Sequence, residues 1–156
     1  MKKLLMSLVA LVCVATASAE VVASYDFESG IDPKWKTWEN KENKLVAGNG
    51  SKQAMEARNG SYFEFSAKSA KQQFVLTADV KHVWGNGTPR VAIWGATGKD
   101  KKVETIKEYD IDMDKNFKTI SFKFKSLAPG YHRVTFIPGV QTGGCIILDN
   151  VKVETK

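Results

Sequence analysis

The four tryptophans, Trp35, Trp38, Trp84 and Trp94, are the residues of this chain best suited to holding a ligand. An indole is a large flat apolar surface with a single polar N–H, so it packs on the face of a flat partner and leaves the rim to other groups. Sugar rings have that shape, and their hydroxyls need acids, amides or cations close by. Asp79, Lys81, Tyr131 and Arg133 are of the right kind. Whether they serve depends on where they point. In 90–95, Val91 and Ile93 share one face and Ala92 and Trp94 the other, so Trp94 turns away from a core that takes the aliphatics. Along 74–81, Phe74, Leu76, Ala78 and Val80 alternate with Thr77, Asp79 and Lys81; along 131–138, Val134 and Phe136 alternate with Tyr131, Arg133 and Thr135. Trp84 ends a strand beside Asn86-Gly87. The candidate ligand-binding set is therefore Trp94, Trp84, Asp79, Lys81, Tyr131 and Arg133. The same residues admit a plainer reading, in which Trp35 and Trp38 close one end of the domain and Trp94 packs under a loop.

Other chemistry is thinly represented. The chain has no His-Glu-x-x-His, no Gly-x-Ser-x-Gly elbow, no phosphate-binding loop and no dinucleotide fingerprint. His82 and His132, the only histidines, border strands and read as structural. Glu56, Glu64, Glu104 and Glu108 could in principle pair as glycosidase acids, but nothing brings two of them to the separation that chemistry needs. No enzymatic activity is expected. The oxygens of residues 110–116 alternate as in a calcium loop, yet Lys115 and Ser121 stand where an EF-hand needs Gly and Glu, and Ile111 and Met113 fit a strand end.

The elements that must position these residues begin after a leader. Lys2 and Lys3, an apolar run over 4–15 and Ala17-Ser18-Ala19 have the form of a bacterial signal peptide, 1–19, too short to span a bilayer. Cleavage leaves a secreted or periplasmic domain, 20–156, with Cys145 as its one cysteine, in the apolar run 145–148 where a small buried residue is expected. The basic excess is mild. Nucleic acid is not an expected partner, and anionic glycans would be the natural partners if the charge matters.

Period-two alternation marks strands over 22–28, 61–66, 74–81, 90–95, 103–113, 117–125, 131–138 and 145–153. Asn-Gly, Pro-Gly and Gly-Gly pairs supply the turns between them. The three Asn-Gly-Ser/Thr triplets are read as turns rather than as glycan acceptors. Short turns are expected at 55–58 and 67–71, and no segment keeps a helical period. About nine strands with one apolar face each predict an all-β fold: an antiparallel two-sheet β-sandwich of jelly-roll topology, one domain, monomeric.

Four segments add a resemblance. Tyr25-Asp26-Phe27-Glu28-Ser29-Gly30 is similar to the opening, and Leu148-Asp149-Asn150-Val151-Lys152-Val153 to the closing strand, of β-jelly-roll carbohydrate-binding modules with a galactose-binding-like sandwich. Residues 74–81 resemble a further strand of that family, and residues 113–120 another segment, with Phe117 where the family usually has Trp. The resemblance implies glycan binding without catalysis and one structural Ca2+ held by Glu28 and Asp149 with main-chain oxygens near 50–52. Asp26 is an additional acid the family pattern lacks. The expected function is a secreted, lectin-like domain that binds a polysaccharide or other glycan. A structural or adhesive envelope protein that binds proteins is the alternative, and a small glycan-active enzyme is the least favoured.

Overall fold

The computed structural model describes residues 18–38, 42–97, 102–139 and 143–156. Most of the expected leader and most of the basic loop at 98–102 lie outside these. Eleven strands carry the alternation: β1 (Val21–Tyr25), β2 (Lys36–Thr37), β3 (Lys44–Val46), β4 (Ala54–Arg58), β5 (Ser61–Ala67), β6 (Gln73–Gly85), β7 (Arg90–Ala96), β8 (Val103–Asp110), β9 (Lys118–Lys125), β10 (Gly130–Ile137) and β11 (Gly144–Thr155). They form two antiparallel sheets. The first has the order β3-β4-β11-β6-β9 with β1 also on β11, and the second has the order β2-β5-β10-β7-β8. The two-sheet β-sandwich expected from the alternation is the fold found.

The inner faces hold the expected aliphatics. Leu76, Val80, Ile146 and Leu148 of the first sheet and Phe63, Ile93, Val134 and Phe136 of the second are essentially unexposed. Where the pattern ends, the chain still finds the core. β1 stops at Tyr25, and Phe27 takes a left-handed backbone, φ 60°, that folds its ring inward. Phe27 and Trp35 close one end of the sandwich against Tyr25 and Phe63, with ring centroids 5.0–6.5 Å apart. Trp35 therefore has the plainer of its two readings.

One segment differs from expectation. Residues 55–58, expected as a short turn, belong to β4. Ala54, Met55 and Ala57 are unexposed, and the strand pairs with β11. The residue types favour helix, but a half-buried ladder position overrides that weak preference. The two short strands β2 and β3 have too few residues to show a period.

His132 is a polar residue buried inside. It lies on the inner face of β10 against the rings of Phe65 and Phe74, at centroid distances of 5.5 and 6.4 Å. Its Nδ1 is 2.9 Å from the Gly130 carbonyl, so Nδ1 carries the proton and Nε2 is left a bare acceptor without a partner. Opposite it, a Cβ on Gly95 would sit 2.8 Å from the imidazole, so glycine is what fits. Burial disfavours the charged ring and pushes the His132 pKa down, only partly opposed by the Gly130 carbonyl. The unfolded chain then takes up this proton first. Stability from His132 is complete above the unfolded value near 6.5 and falls as pH drops below it, by at most about 1.4 kcal/mol per pH unit. Urea midpoints measured from pH 8 to pH 5 should decline, and His132→Phe should flatten that profile whatever it does to stability at pH 8.

Candidate functional site

Burying His132, Val134 and Phe136 sends Tyr131, Arg133 and Thr135 to the outer face of the second sheet. Register then sets their neighbours. Arg133 lies between Glu64 of β5 and Trp94 of β7, and Thr135 lies between Tyr62 of β5 and Ala92 of β7. Thr105 of β8 continues the Arg133 row beyond Trp94, and Lys36 of β2 lies beside Tyr62.

Glu64 organises this face. Its Oε1 accepts from Tyr131 Oη and from Arg133 Nη2, each at 3.1 Å, and its Oε2 accepts from Lys36 Nζ at 3.0 Å. Burial pushes the Glu64 carboxyl up, but the hydrogen bonds from Lys36, Tyr131 and Arg133 prevail and hold it below the usual carboxylate range. Glu64 is therefore ionised at neutral pH. The Arg133 guanidinium lies 4.1 Å over the ring of Tyr62 and 5.7 Å from that of Tyr131. Two aromatic rings and a carboxylate thus hold one cation in place.

Trp94 lies next to Arg133 on this outer face and is half-buried, so the indole is neither swallowed by the core nor fully free. Beside it, Ala92 and Thr135 are wholly covered. Trp94 Nε1, Arg133 Nε and Thr135 Oγ1 are all buried without a hydrogen-bond partner among the described residues. Native proteins leave few such atoms, and three on neighbouring residues of one face are hydrogen-bonding capacity the fold has not used. A depression of about 520 Å3 lined by Trp35, Lys36, Thr37, Asn43 and Tyr62 extends the surface at the β2 margin.

The other half of the candidate set lies elsewhere. Asp79, Lys81 and Trp84 belong to β6 and face outward from the first sheet, on the opposite side of the sandwich. Asp79 accepts hydrogen bonds from the Thr119 hydroxyl and from Asn150 Nδ2, the latter at 2.9 Å. Alternation says which residues leave the core but not which sheet they leave from, so six residues expected in one site form two groups of three. Tyr62 and Glu64, which complete the group on the second sheet, show in the sequence only as the polar half of an alternating strand. Their partnership with Arg133 needs the β5–β10 register. Cys145 is buried as expected, under Glu56 and Arg58 rather than in the aliphatic cluster; burial first, then the Glu56 charge, push its thiol up to about 11.

Glu28 and Asp149 meet the loop 48–53. Gln53 N–H donates to Glu28 Oε1 at 3.0 Å. Asp149 is unexposed, with Oδ2 accepting from Asn49 N–H at 2.9 Å and from the Ser51 hydroxyl at 2.5 Å, and Oδ1 accepting from Asn150 N–H at 2.8 Å. Gly48 passes so close that a Cβ there would lie 2.8 Å from Asp149 Oδ2. Among the described residues no three His, Cys, Asp or Glu side chains group together as metal ligands. What is present is two carboxylates, loop carbonyls and the amide oxygen of Gln53, buried and without a partner. That all-oxygen set fits a hard cation such as calcium and does not suit a transition metal.

No family model matches the chain, and no curated protein matches it in sequence. Solved structures do match. The CBM22-1 xylan-binding domain of Paenibacillus barcinonensis Xyn10C superposes with a TM-score of 0.67 at 12% identity, over 88% of this chain and 96% of that one. Family 16 carbohydrate-binding module 2 gives 0.58 at 12% identity, over 76% and 89%. The K3 adhesin domain of Lys-gingipain from Porphyromonas gingivalis gives 0.57 at 13% identity, over 88% and 100%. The chain therefore has the two-sheet β-sandwich fold of the carbohydrate-binding modules.

Proposed function

We propose that this chain is an exported, non-catalytic domain that binds a polysaccharide on the outer face of its second sheet. The observation that carries the reading is the group Tyr62, Glu64, Trp94, Tyr131 and Arg133. It combines aromatic surface with a fixed cation and with polar atoms that have no partner among the described residues. A sugar ring set against Trp94 would lose little binding free energy to ordering the protein, because Glu64 already restrains Arg133 and Tyr131. The xylan-binding neighbour makes xylan the first polymer to try. The signal-peptide pattern supports export, and among the described residues no helix is long and apolar enough to cross a membrane.

We also propose that Glu28 and Asp149 hold one structural Ca2+ with oxygens of the loop 48–53. The ion would brace both ends of the domain and take no part in glycan contact.

Retention of the protein in native gels containing xylan, mannan, β-glucan or pectin tests the first proposal. Trp94→Ala and Arg133→Ala should each weaken the best ligand about tenfold or more, which is 1.4 kcal/mol per tenfold. Unchanged affinity in both variants, or no retention by any polymer, would sink the reading. A protein partner pulled from envelope fractions would then favour the adhesive alternative.

For the cation, calcium at 100 times its dissociation constant should stabilise the fold by about 2.7 kcal/mol, seen as a Tm that rises with CaCl2 and returns with EDTA. Glu28 is exposed, so Glu28→Gln should abolish that calcium-dependent rise while leaving the metal-free Tm close to wild type. A Tm indifferent to both reagents rules the ion out.

A further inference from the structure

Along β6, Phe74, Leu76, Ala78, Val80 and His82 are buried while Thr77, Asp79 and Lys81 face outward. Continued alternation would send Trp84 into the core. It does not go there. His82 pairs with Ile146 but Trp84 pairs with Cys145, so β6 spends one extra residue, Val83, between them. The bulge is held by the segment just before β9. His82 N–H donates to the Asp114 carbonyl at 2.9 Å, and Lys115 Nζ donates to the carbonyl of Val83. Its effect is to turn the indole from the interior to the outer face of the first sheet, where Trp84 is 51% exposed. A bulge that re-aims one side chain is a recurrent device beside binding sites, and exposing an indole forgoes the burial energy it would otherwise contribute.

The surroundings of Trp84 indicate what it meets. Ile147 lies opposite Lys81 in the row next to Trp84, and the Lys81 ammonium is 5.9 Å from the ring of Phe117. The acids of this face are already engaged. Asp79 accepts from Thr119 and Asn150, and Glu56 is paired with Arg58 Nη2 at 2.5 Å. Lys81 has no ion pair among the described residues. Lys123 and Lys125 of β9, which lie farther along the same face beside Val75 and Gln73, have none either. An exposed indole near the unpaired Lys81 ammonium, with the carboxylates satisfied internally, complements a partner that brings flat C–H faces and negative charge together.

We propose that this face, centred on Trp84 and Lys81, is a second binding site for an acidic, uronate-bearing polysaccharide, back to back with the Trp94 face and independent of it. Two such sites let one domain join two glycan chains.

Polygalacturonate and its fully methyl-esterified form, included in native gels with the full chain, separate charge from ring stacking. Wild-type protein should be retained by the acidic polymer, and Trp84→Ala and Lys81→Gln should each reduce that retention at least fivefold. Trp84→Phe should recover part of it, and 0.5 M NaCl should abolish most of it. Trp94→Ala should leave it unchanged, and Trp84→Ala should leave untouched whatever neutral polymer the other face binds. No retention by polygalacturonate overturns the proposal, as does retention that neither Trp84→Ala nor Lys81→Gln alters. Equal Trp84-dependent retention by the esterified polymer overturns the acidic assignment. Neutral-polymer binding that survives Trp94→Ala would instead count against the reading of the second sheet alone. Because Trp84 is exposed, an unchanged Tm in Trp84→Ala confirms that the fold is intact in each comparison.

Discussion

Two-fold alternation along β10 ties the core of this protein to its surface. The strand is paired on both sides, with β5 and with β7, so its register cannot shift without breaking two ladders. Once Val134 and Phe136 are committed to the interior, Arg133 and Thr135 have one place left to go, and a slip of one residue would exchange the two sets. The buried apolar side chains thus supply the free energy that keeps a guanidinium, a phenol and a hydroxyl on one surface. Glu64 converts that placement into fixed geometry. It gathers Lys36, Tyr131 and Arg133 by hydrogen bonds, and the aromatic rings hold the guanidinium flat. Exposed ion pairs contribute little singly, but here one carboxylate shares three donors, of which Tyr131 and Arg133 are partly buried, where the geometry is better constrained.

The division of labour between sequence and structure follows from what alternation can encode. Period two distinguishes inside from outside, and on that basis Phe63, Val91, Ile93, Val134 and Phe136 are legible as core and Trp94 and Arg133 as surface. It carries no information about pairing partners. Nothing in residues 74–81 says that Asp79 and Lys81 leave from the sheet opposite Arg133, and nothing in residues 61–66 says that Glu64 will meet Arg133. Parity also fails where the backbone changes step. Trp84 lies beyond an extra residue, so counting from Val80 points it the wrong way. Trp35 lies in a loop, where no period applies; its burial follows from the aromatic cluster it completes with Tyr25, Phe27 and Phe63.

The two outer faces differ in how their charges are spent. On the second sheet the carboxylate of Glu64 is an internal organiser, and the unused capacity is in Trp94 Nε1, Arg133 Nε and Thr135 Oγ1. These suit a ligand that exchanges hydrogen bonds at close range. On the first sheet the acids are also satisfied, but the unused groups are the Lys81 ammonium, without an ion pair among the described residues, and the exposed indole near it. The ammonium acts at longer range, and its attraction weakens with salt. One fold thereby presents two chemically different surfaces. The strands supply the difference: a regular register on β10, and a one-residue bulge on β6.

The same economy explains how the sandwich closes its ends with Cys145 as the one cysteine among the described residues. β11 pairs with β6 along one edge, while its other edge serves β4 up to Leu148 and β1 from Val151 onward. Between the two lies a bulge at Asp149 and Asn150, where Asn150 adopts a left-handed backbone, φ 49°. The break leaves Asp149 in the gap between β4 and β1, free of ladder partners on that side and within reach of the loop 48–53. Glu28, just beyond the end of β1, reaches the same loop through Gln53. First strand, last strand and the loop before β4 therefore converge on two carboxylates. With no disulfide among the described residues, their cross-connections restrain the chain ends, and Glu20 and Thr155 add a reciprocal pair of hydrogen bonds at 2.8 Å beyond them. A cation would bind where the fold already needs a clasp, so the proposed metal acts on stability, and the proposed glycan contact stays with the sheet faces that alternation leaves outside.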